Sequence, residues 1–262
     1  MSAEFSTGET SNATAPSGLF DLSGKVALVT GGSRGLGREM VLGFANAGAD
    51  VVIASRKLDS CELLAKEVEA LGRNALPVAA HVGHWEECAA LTEQAYAAFG
   101  KVDVLVNNAG MSPVAPSSAE TSEELFDKVI AVNFKGPFRL GSLIGQRMHA
   151  GDGGSIINVS SSGAIFPAPR FGPYAGAKAA LNALTTVLAL EFGPNVRVNT
   201  ISAGPFLTDI AKQWPEPSKR TWKNAAGRPG DPAEIVTTAL YLASPASSYT
   251  TGSLIRVDGG LH

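Results

Sequence analysis

The sequence predicts an α/β fold in which helices cover both faces of one parallel sheet. Short apolar runs of strand length alternate along the chain with longer stretches of helical character. A run such as Lys25-Val26-Ala27-Leu28-Val29-Thr30 is apolar at consecutive positions, which is typical of a strand buried on both faces. A chain of 262 residues with 45% hydrophobic residues is long enough for one such domain with a large core.

Seven strands are expected, with helical sequence between them. They fall near residues 25–30, 51–55, 75–80, 103–107, 155–161, 196–202 and 254–257. Parallel neighbours need crossovers that return over the sheet, so a single doubly wound, Rossmann-like domain is expected over residues 19–262. Residues 1–18 are rich in Ser, Thr, Ala and Gly and contain no basic residue. We expect a disordered tail there rather than a signal or transit peptide.

Charge and cysteine content exclude several classes of function. The net charge is −3, and no basic stripe could neutralise the phosphates of a nucleic acid. No run of eighteen apolar residues could span a bilayer. Cys61 and Cys88 lack the paired spacing of zinc sites, so no metal site is expected. Reduced thiols in a cytoplasmic protein are the simplest interpretation.

A glycine-rich turn follows the first predicted strand. Gly31, Gly35 and Gly37 have the spacing Gly-x3-Gly-x-Gly, and a helix-like segment follows. A strand, a glycine-rich turn and a helix in this order direct backbone N–H groups and the positive end of a helix toward a phosphate. Glycine is needed because a Cβ would hold the pyrophosphate away from the backbone. A tight turn without ligand is the alternative interpretation of this segment taken alone.

Tyr174 and Lys178 lie four residues apart in a segment that reads as helix from about 172 to 192. This spacing places a phenol and an ammonium on one face. A positive charge about 5 Å away at an effective dielectric of ~20 favours the phenolate by roughly 3 kcal/mol, so a lowered Tyr174 pKa is predicted. Ser161, at the end of the predicted strand 155–161, can bring a hydroxyl to the same place. A solvated helix face is the alternative for an isolated pair of this kind.

Six segments in a fixed order resemble the short-chain dehydrogenase/reductase family, and the resemblance runs from Leu19 to Leu261. They are Thr30-Gly31-Gly32-Ser33-Arg34-Gly35-Leu36-Gly37, Asn107-Asn108-Ala109-Gly110, Asn133, Ser161, Tyr174-Ala175-Gly176-Ala177-Lys178 and Ile255-Arg256-Val257-Asp258-Gly259-Gly260. The resemblance implies hydride transfer between a nicotinamide cofactor and a carbonyl or alcohol. Reduction of a 3-oxoacyl compound or another ketone is expected. An alcohol or sugar dehydrogenase, and a non-catalytic NADP-binding scaffold or redox sensor, are the alternatives.

The resemblance implies a catalytic set and a cofactor site. The catalytic set is Asn133, Ser161, Tyr174 and Lys178. The cofactor-binding residues are expected to be Gly31, Ser33, Arg34, Gly35, Leu36, Ser55, Arg56, Val82, Asn108, Ala109, Gly110, Tyr174, Lys178, Gly204 and Thr208. Asn107 is implied to lock the central sheet, and Lys178 to hold the nicotinamide ribose.

The end of the second strand predicts NADP(H) over NAD(H). Folds of this type that prefer NAD place an acid there to bind the ribose 2′-hydroxyl, whereas this chain has Ser55-Arg56-Lys57. Arg56 can bind a 2′-phosphate, and Arg34 can reach the same group. The alternative is that both arginines are solvated loop residues.

Three positions differ from the family or suggest a local mechanism. His81 stands where the family usually has an Asp near the adenine, and Ala203 replaces a proline before Gly204. Pro137, four residues after Asn133, lacks the N–H that would bond the Asn133 carbonyl. In the family, the main chain of this asparagine holds a water that links the catalytic lysine to solvent. A simple helix kink is the alternative.

The helix over 172–192 and the loops near the site suggest partners. Between Ala175 and Glu191 the only charged residues are Lys178 and Glu191, so the helix should be buried on nearly all sides. We expect a homo-oligomer in which Ala175, Gly176, Ala179 and Ala180 allow close approach, and the resemblance implies a dimer or tetramer. A small-molecule substrate with a partly apolar wall is expected, formed by Phe166, Pro167, Phe171, Phe206, Trp214 and Trp222.

Overall fold

The fold is a seven-stranded parallel sheet with helices on both faces. It is described by a computed structural model for residues 18–262, apart from the side chains of Ile210 and Gln213. The strands are β1 (Val26–Thr30), β2 (Asp50–Ser55), β3 (Ala75–Ala79), β4 (Val104–Asn107), β5 (Gly154–Ser161), β6 (Val196–Ala203) and β7 (Leu254–Val257). All seven predicted strands are confirmed, with ends that agree within one residue. The tail predicted over residues 1–18 lies outside the described residues, except for Gly18.

Eight α-helices lie between these strands in the described part of the chain. They are α1 (Gly35–Asn46), α2 (Leu58–Ala70), α3 (Trp85–Phe99), α4 (Glu123–Ile130), α5 (Gly136–Ala150), α6 (Gly172–Phe192), α7 (Glu216–Arg220) and α8 (Val236–Ala243). A π-helical turn at Ala131–Lys135 joins α4 directly to α5. The helix predicted over 172–192 is confirmed as α6.

The strand order places the carboxyl ends of β1 and β4 side by side. Across the sheet the order is β3-β2-β1-β4-β5-β6-β7. The strands β2 and β3 are added on one side of β1, and β4 to β7 on the other, so the strand order reverses between β1 and β4. Ligands of open α/β sheets bind at such a reversal, outside the carboxyl ends of the strands. Four predicted positions, Gly31, Ser55, Asn107 and Ser161, lie at the ends of β1, β2, β4 and β5 along this edge.

The core consists of two apolar layers, one on each face of the sheet. Ala27 and Val29 of β1 pack with Phe44 of α1 in one layer. Leu28 points to the opposite face and belongs to the layer that contains Leu181 of α6. Because successive side chains of a strand alternate between faces, the consecutive apolar run of β1 serves both layers.

Helix α6 buries one side against the sheet and exposes an apolar opposite side. Leu181, Leu184 and Leu188 are buried, whereas Leu190 is 81% exposed. The exposed side also carries Gly176, Ala179, Ala183 and Val187. The prediction that Ala175 is available for contact with a partner is wrong, because Ala175 is buried within its own chain.

Two further features concern the state of the cysteines and the apolar character of the helices. Cys61 and Cys88 are both free and buried, and burial raises the pKa of the Cys88 thiol to about 11. Within residues 18–262, no helix combines the length and apolar character needed to cross a bilayer.

Candidate active site

The glycine-rich turn after β1 packs too tightly for side chains. Gly31 and Gly35 have φ of 61° and 55°, in the left-handed region that favours glycine. A Cβ on Gly37 would lie 2.2 Å from the carbonyl oxygen of Gly31, so only glycine fits where α1 meets the turn. Helix α1 begins here with no side-chain cap and no acidic residue in its first turn. Its first N–H groups and its dipole therefore fit the pyrophosphate of a dinucleotide.

Thr30 connects this turn to the segment after β4. Its hydroxyl accepts hydrogen bonds from the N–H groups of Asn108 (3.0 Å) and Ala109 (3.1 Å). The Asn108 amide in turn donates to the carbonyls of Thr30 (2.9 Å) and Gly31 (3.2 Å). The Asn108 side chain thus holds the turn in shape, and any contact with a cofactor is left to the backbone. Thr30 was not among the predicted site residues, because in the sequence it is only a polar residue that ends an apolar run.

Two arginines predicted at the adenosine end have different surroundings. Arg56 follows β2 and is exposed. Arg34 is ion-paired with Asp209, with 3.1 Å between Nη1 and Oδ2. The hydroxyls of Ser33 and Ser55 are 3.0 Å apart, which joins the glycine-rich turn to the end of β2. In this arrangement Arg56 is the better placed of the two to meet a phosphate at the end of β2.

His81 lies beside the end of β2 and is held by groups of α3. Its N–H donates to Glu87 (2.7 Å), and its ring stacks on His84 with centroids 4.4 Å apart. Burial, then the charges of His84 and Arg56, lower the His81 pKa. Nδ1 of His81 accepts a hydrogen bond from the Gly83 N–H, so His81 stabilises the turn between β3 and α3. The neighbouring Val82, a predicted cofactor contact, is 7% exposed.

Asn133 lies within the π-helical turn, and its side chain is fully engaged. The amide donates to the carbonyls of Met111 and Val129, both at 2.9 Å, and Oδ1 accepts from the Met111 N–H at 3.3 Å. The Gly136 N–H bonds the Ala131 carbonyl, five residues earlier, which closes the wide turn. Pro137 supplies no N–H four residues after Asn133. The water relay that the resemblance implies would therefore use the main-chain carbonyl of Asn133 rather than its side chain.

Lys178 is buried beneath the site. Its side chain is 3% exposed, and Nζ donates to the carbonyl of Val159 in β5 at 2.7 Å. Burial lowers the pKa of Lys178 to about 8. A Cβ built on Gly110 would lie 3.6 Å from this Nζ and 3.0 Å from Oδ1 of Asn133. The segment after β4 therefore brings Gly110, Asn133 and Lys178 together.

Tyr174 and Ser161 meet at the end of β5. A Cβ built on Gly163 would lie 3.3 Å from the Ser161 hydroxyl and 3.7 Å from the Tyr174 ring, so this glycine leaves the space between them open. Burial raises the pKa of Tyr174, and hydrogen bonding with Ser161 opposes that rise. The predicted lowering of this pKa by Lys178 is wrong for this structure. Nζ of Lys178 lies 5.9 Å from the ring centroid and is directed at Val159, so desolvation outweighs its charge.

The segment after β6 closes over the glycine-rich turn. The Gly204 N–H donates to the Val257 carbonyl at 2.9 Å, and a Cβ on Gly204 would clash with Asp258 at 2.5 Å. Thr208 lies against Gly35, with its side-chain atoms 3.4 to 3.5 Å from a Cβ built there. A cavity of about 410 Å³ lies between the start of α1 and residues 207–212. Thr208 is thus placed near the phosphate end of the turn.

The residues predicted to form an apolar wall have different surroundings. Phe206 is 6% exposed, and its ring would meet a Cβ on Gly230 at 2.6 Å, so it is a core residue. Trp214 and Trp222 stand close to each other, with centroids 4.7 Å apart. Phe166 is exposed on the segment after β5, beneath the guanidinium of Arg256.

The fold and site define a dinucleotide-binding oxidoreductase of the Rossmann type, and the comparisons agree. The model of a family described as "Enoyl-(Acyl carrier protein) reductase" matches residues 31–262. An uncharacterized oxidoreductase of Mycobacterium tuberculosis is 40% identical over 93% of this chain and 94% of its own. A 3-oxoacyl-[acyl-carrier-protein] reductase of Thermotoga maritima is 37% identical over 92% and 98%.

A solved structure is also similar along nearly the whole chain. A 7α-hydroxysteroid dehydrogenase complexed with NADH and 7-oxo glycochenodeoxycholic acid is 33% identical with a TM-score of 0.89, over 94% of this chain and 98% of that one. The present chain belongs to the short-chain dehydrogenase/reductase family. Its members are oxidoreductases that act on CH–OH and C=O groups with a nicotinamide cofactor.

Proposed function

We propose that this protein is an NADP(H)-preferring carbonyl reductase that converts a ketone, of the 3-oxoacyl type or another kind, to an alcohol. The observation that carries the proposal is the convergence of Ser161, Tyr174, Lys178 and Asn133 at the carboxyl edge of β4 and β5. A protein that only binds a nucleotide has no need for a phenol, a hydroxyl and a buried ammonium in one place. Two relatives named for ketone or hydroxyl chemistry support the same reaction class.

The cofactor site would be formed by the uncapped start of α1, the backbone of Asn108 to Gly110 and Lys178. The nicotinamide, when bound, supplies the hydride for reduction or accepts it in oxidation. Glycines at 31, 35 and 37 leave the close approach that a pyrophosphate requires. Side chains at 31 and 37 would collide with backbone atoms, so the turn carries none and its backbone is open to a dinucleotide.

Tyr174 holds the proton that the carbonyl oxygen receives. Because burial raises its pKa, the phenol is protonated at neutral pH and can act as the acid. The Ser161 hydroxyl orients the same oxygen and stabilises charge as it develops. Lys178, with a pKa of about 8, is mostly charged at pH 7 and favours the phenolate that remains after proton transfer. In alcohol oxidation the same groups act in reverse.

The preference for NADP(H) rests on Arg56. The carboxyl end of β2 carries no acid that could bind a ribose 2′-hydroxyl, and the exposed guanidinium of Arg56 can bind a 2′-phosphate. The structure of the 7α-hydroxysteroid dehydrogenase holds NADH, so membership of the family does not itself select NADP(H).

The variant Arg56→Asp tests this preference, because it installs the missing acid and removes the cation. We expect the ratio of kcat/KM for NADPH over NADH to fall at least about tenfold, the size of a charged hydrogen bond. Lys66→Ala, an exposed cation on α2, is the control and should leave the ratio unchanged. A wild-type enzyme with equal or better efficiency on NADH would contradict the proposal.

The substrate is proposed to carry apolar surface beside its carbonyl. Four large apolar side chains stand 38 to 48% exposed on the segments that follow β4, β5 and β6: Val114, Ile165, Phe166 and Leu207. Exposed apolar groups gathered around one site are typical of a binding surface for apolar ligands. A panel of ketones, from polar sugars to 3-oxoacyl thioesters and cyclic ketones, followed by NADPH absorbance, tests the function. Absence of turnover in both directions would favour the binding scaffold.

A homo-oligomer is proposed from the exposed apolar side of α6. Gly176, Ala179 and Ala183 lie along it with Val187 and Leu190, and none of the five is charged. Small residues allow close approach of a second helix, and apolar ones favour burial.

A further inference from the structure

Arg170 has a backbone conformation that arginine rarely adopts. Its φ is 73°, and among the residues described by the structure it is the only one other than glycine with positive φ. A side chain in this region meets its own backbone, so the surroundings must hold the residue there. It lies between β5 and α6, four residues before Tyr174.

The guanidinium of Arg170 crosses to the neighbouring segment. Nε donates to the carbonyl oxygen of Ala115 at 2.8 Å. Ala115 is 4% exposed and lies between Pro113 and Pro116, neither of which has an N–H. This stretch has no regular secondary structure, so Arg170 supplies a partner that the backbone itself lacks.

The two segments joined by Arg170 are also joined at the catalytic residues. The segment after β4 passes Lys178 at Gly110 and is fixed at Met111 by the side chain of Asn133. The segment after β5 leads through Arg170 into α6 and Tyr174. The two segments are therefore connected at two places, near the catalytic groups and at the Arg170–Ala115 hydrogen bond.

We propose that Arg170 is a positioning residue of the substrate site, which fixes the separation between the segments after β4 and β5 that hold the carbonyl compound. The inference rests on the proposed reductase function and extends it. Val114, adjacent to Ala115, and Phe166, four residues before Arg170, belong to the exposed apolar rim, so the bond sets their spacing. Loss of the bond weakens substrate binding and leaves unchanged the part of the cofactor site that lies at the start of α1.

Three variants separate the guanidinium from the backbone strain. Arg170→Gly removes the bond and adopts positive φ freely, Arg170→Ala removes the bond and retains the strain, and Arg170→Lys keeps the charge without the planar fork. Arg147→Ala, on α5 and paired with Glu93, is the control. Each is measured for kcat and KM with a ketone that the wild type reduces, for the Kd of NADPH by fluorescence, and for hydrogen exchange at residues 111–115.

We expect KM to rise at least about tenfold in all three variants, which is the value of one hydrogen bond from a charged donor. The Kd of NADPH should stay within about twofold, because the side chain of Asn133 holds Met111, next to residues 108–110 of the cofactor site, independently of Arg170. Exchange at residues 111–115 should accelerate about tenfold in the same variants. The control should match the wild type in every measurement.

The outcomes distinguish failure of the inference from failure of the function. If Arg170→Gly shows the wild-type KM and exchange, or loses NADPH affinity as much as substrate affinity, Arg170 is not a positioning residue although the reductase stands. A defect in Arg170→Ala that Arg170→Gly lacks would assign the effect to the backbone and overturn the inference. A wild type that turns over no carbonyl or alcohol overturns the proposed function, and the inference with it.

Discussion

Lys178 carries a charge in a place where water does not reach it. Its ammonium is compensated by one carbonyl, that of Val159, and burial moves its pKa from 10.5 to about 8. Desolvation disfavours the charged form of a buried lysine. Burial also favours the neutral form of Tyr174, and because that form carries the proton, the pKa of Tyr174 is raised. The pKa values of Tyr174 and Lys178 therefore depend mainly on burial and less on the interaction between the two groups.

The role of Tyr174 predicts a selective loss of rate. In Tyr174→Phe the ring stays and the transferable proton is gone, so kcat should fall about 10³-fold, the usual contribution of a general acid. NADPH should bind with unchanged Kd in a fluorescence titration. Tyr249→Phe removes a hydroxyl from an exposed tyrosine and should retain full activity. Turnover of Tyr174→Phe near the wild-type rate would show that another group is the acid.

The pKa of Lys178 predicts how stability depends on pH. Between pH 8 and 10.5 the unfolded chain keeps the proton that the folded chain has released, so the folded state gains stability as pH rises. Relative to Lys178→Met, the wild type should gain up to about 3 kcal/mol across this window. Urea unfolding of both proteins at pH 8, 9 and 10 measures the difference. A difference that does not change with pH would contradict the low pKa.

At the scale of elements, a buried polar chain connects the centre of the sheet to α6. The Asn107 amide donates to Asn158 at 2.9 Å, Asn158 donates to Thr185 at 2.9 Å, and Thr185 lies 2.7 Å from the hydroxyl of Thr200. All four are almost wholly buried. The resemblance implies such a locking role for Asn107, and the contacts agree with it.

These buried hydrogen bonds predict a large loss of stability in Asn158→Ala. The change leaves Asn107 and Thr185 without a shared partner in the core and opens a cavity, so the free energy of unfolding should fall by about 3 kcal/mol. Urea denaturation measures it. Asn46→Ala, on the exposed side of α1, should change stability by less than about 0.5 kcal/mol. Equal losses of stability in the two variants would show that the buried hydrogen bonds of Asn158 stabilise the protein no more than an exposed one does.

At the scale of the whole molecule, α6 is both part of the active site and an exposed apolar surface. Its first turns present Tyr174 and Lys178, and its last turns present Val187 and Leu190 to solvent. Oligomerisation through this helix would therefore stabilise the element that holds the catalytic pair.

Leu190→Glu tests the oligomer. A charge on the proposed contact must be desolvated in the assembly, so the protein should dissociate to smaller species in size-exclusion chromatography with light scattering. Leu63→Glu places the same charge on a comparably exposed leucine of α2 and should not alter the mass. A wild-type protein that is monomeric at micromolar concentration would contradict the proposed oligomer.

Much of the fold and site could be predicted from local sequence. The strands β1, β2 and β4 were recognisable because each is a consecutive apolar run buried on both faces. The π-helical turn at Asn133 leads into a helix whose second residue is Pro137, so the missing N–H four residues after Asn133 was visible in the sequence. Other features depend on long-range packing. Arg34 meets Asp209, and Phe206 meets Gly230, across distances in sequence that no local pattern reports.

The sequence by itself determined the order of strands and helices along the chain and the glycine-rich turn, because each follows from short-range pattern and spacing. The resemblance to a known family indicated which residues meet at the sheet edge. Only the tertiary structure decided the protonation of Tyr174 and Lys178, since their pKa values depend on how completely the surrounding elements exclude water. It also decided the backbone of Arg170, whose unfavourable φ is maintained by a bond to a segment more than fifty residues away.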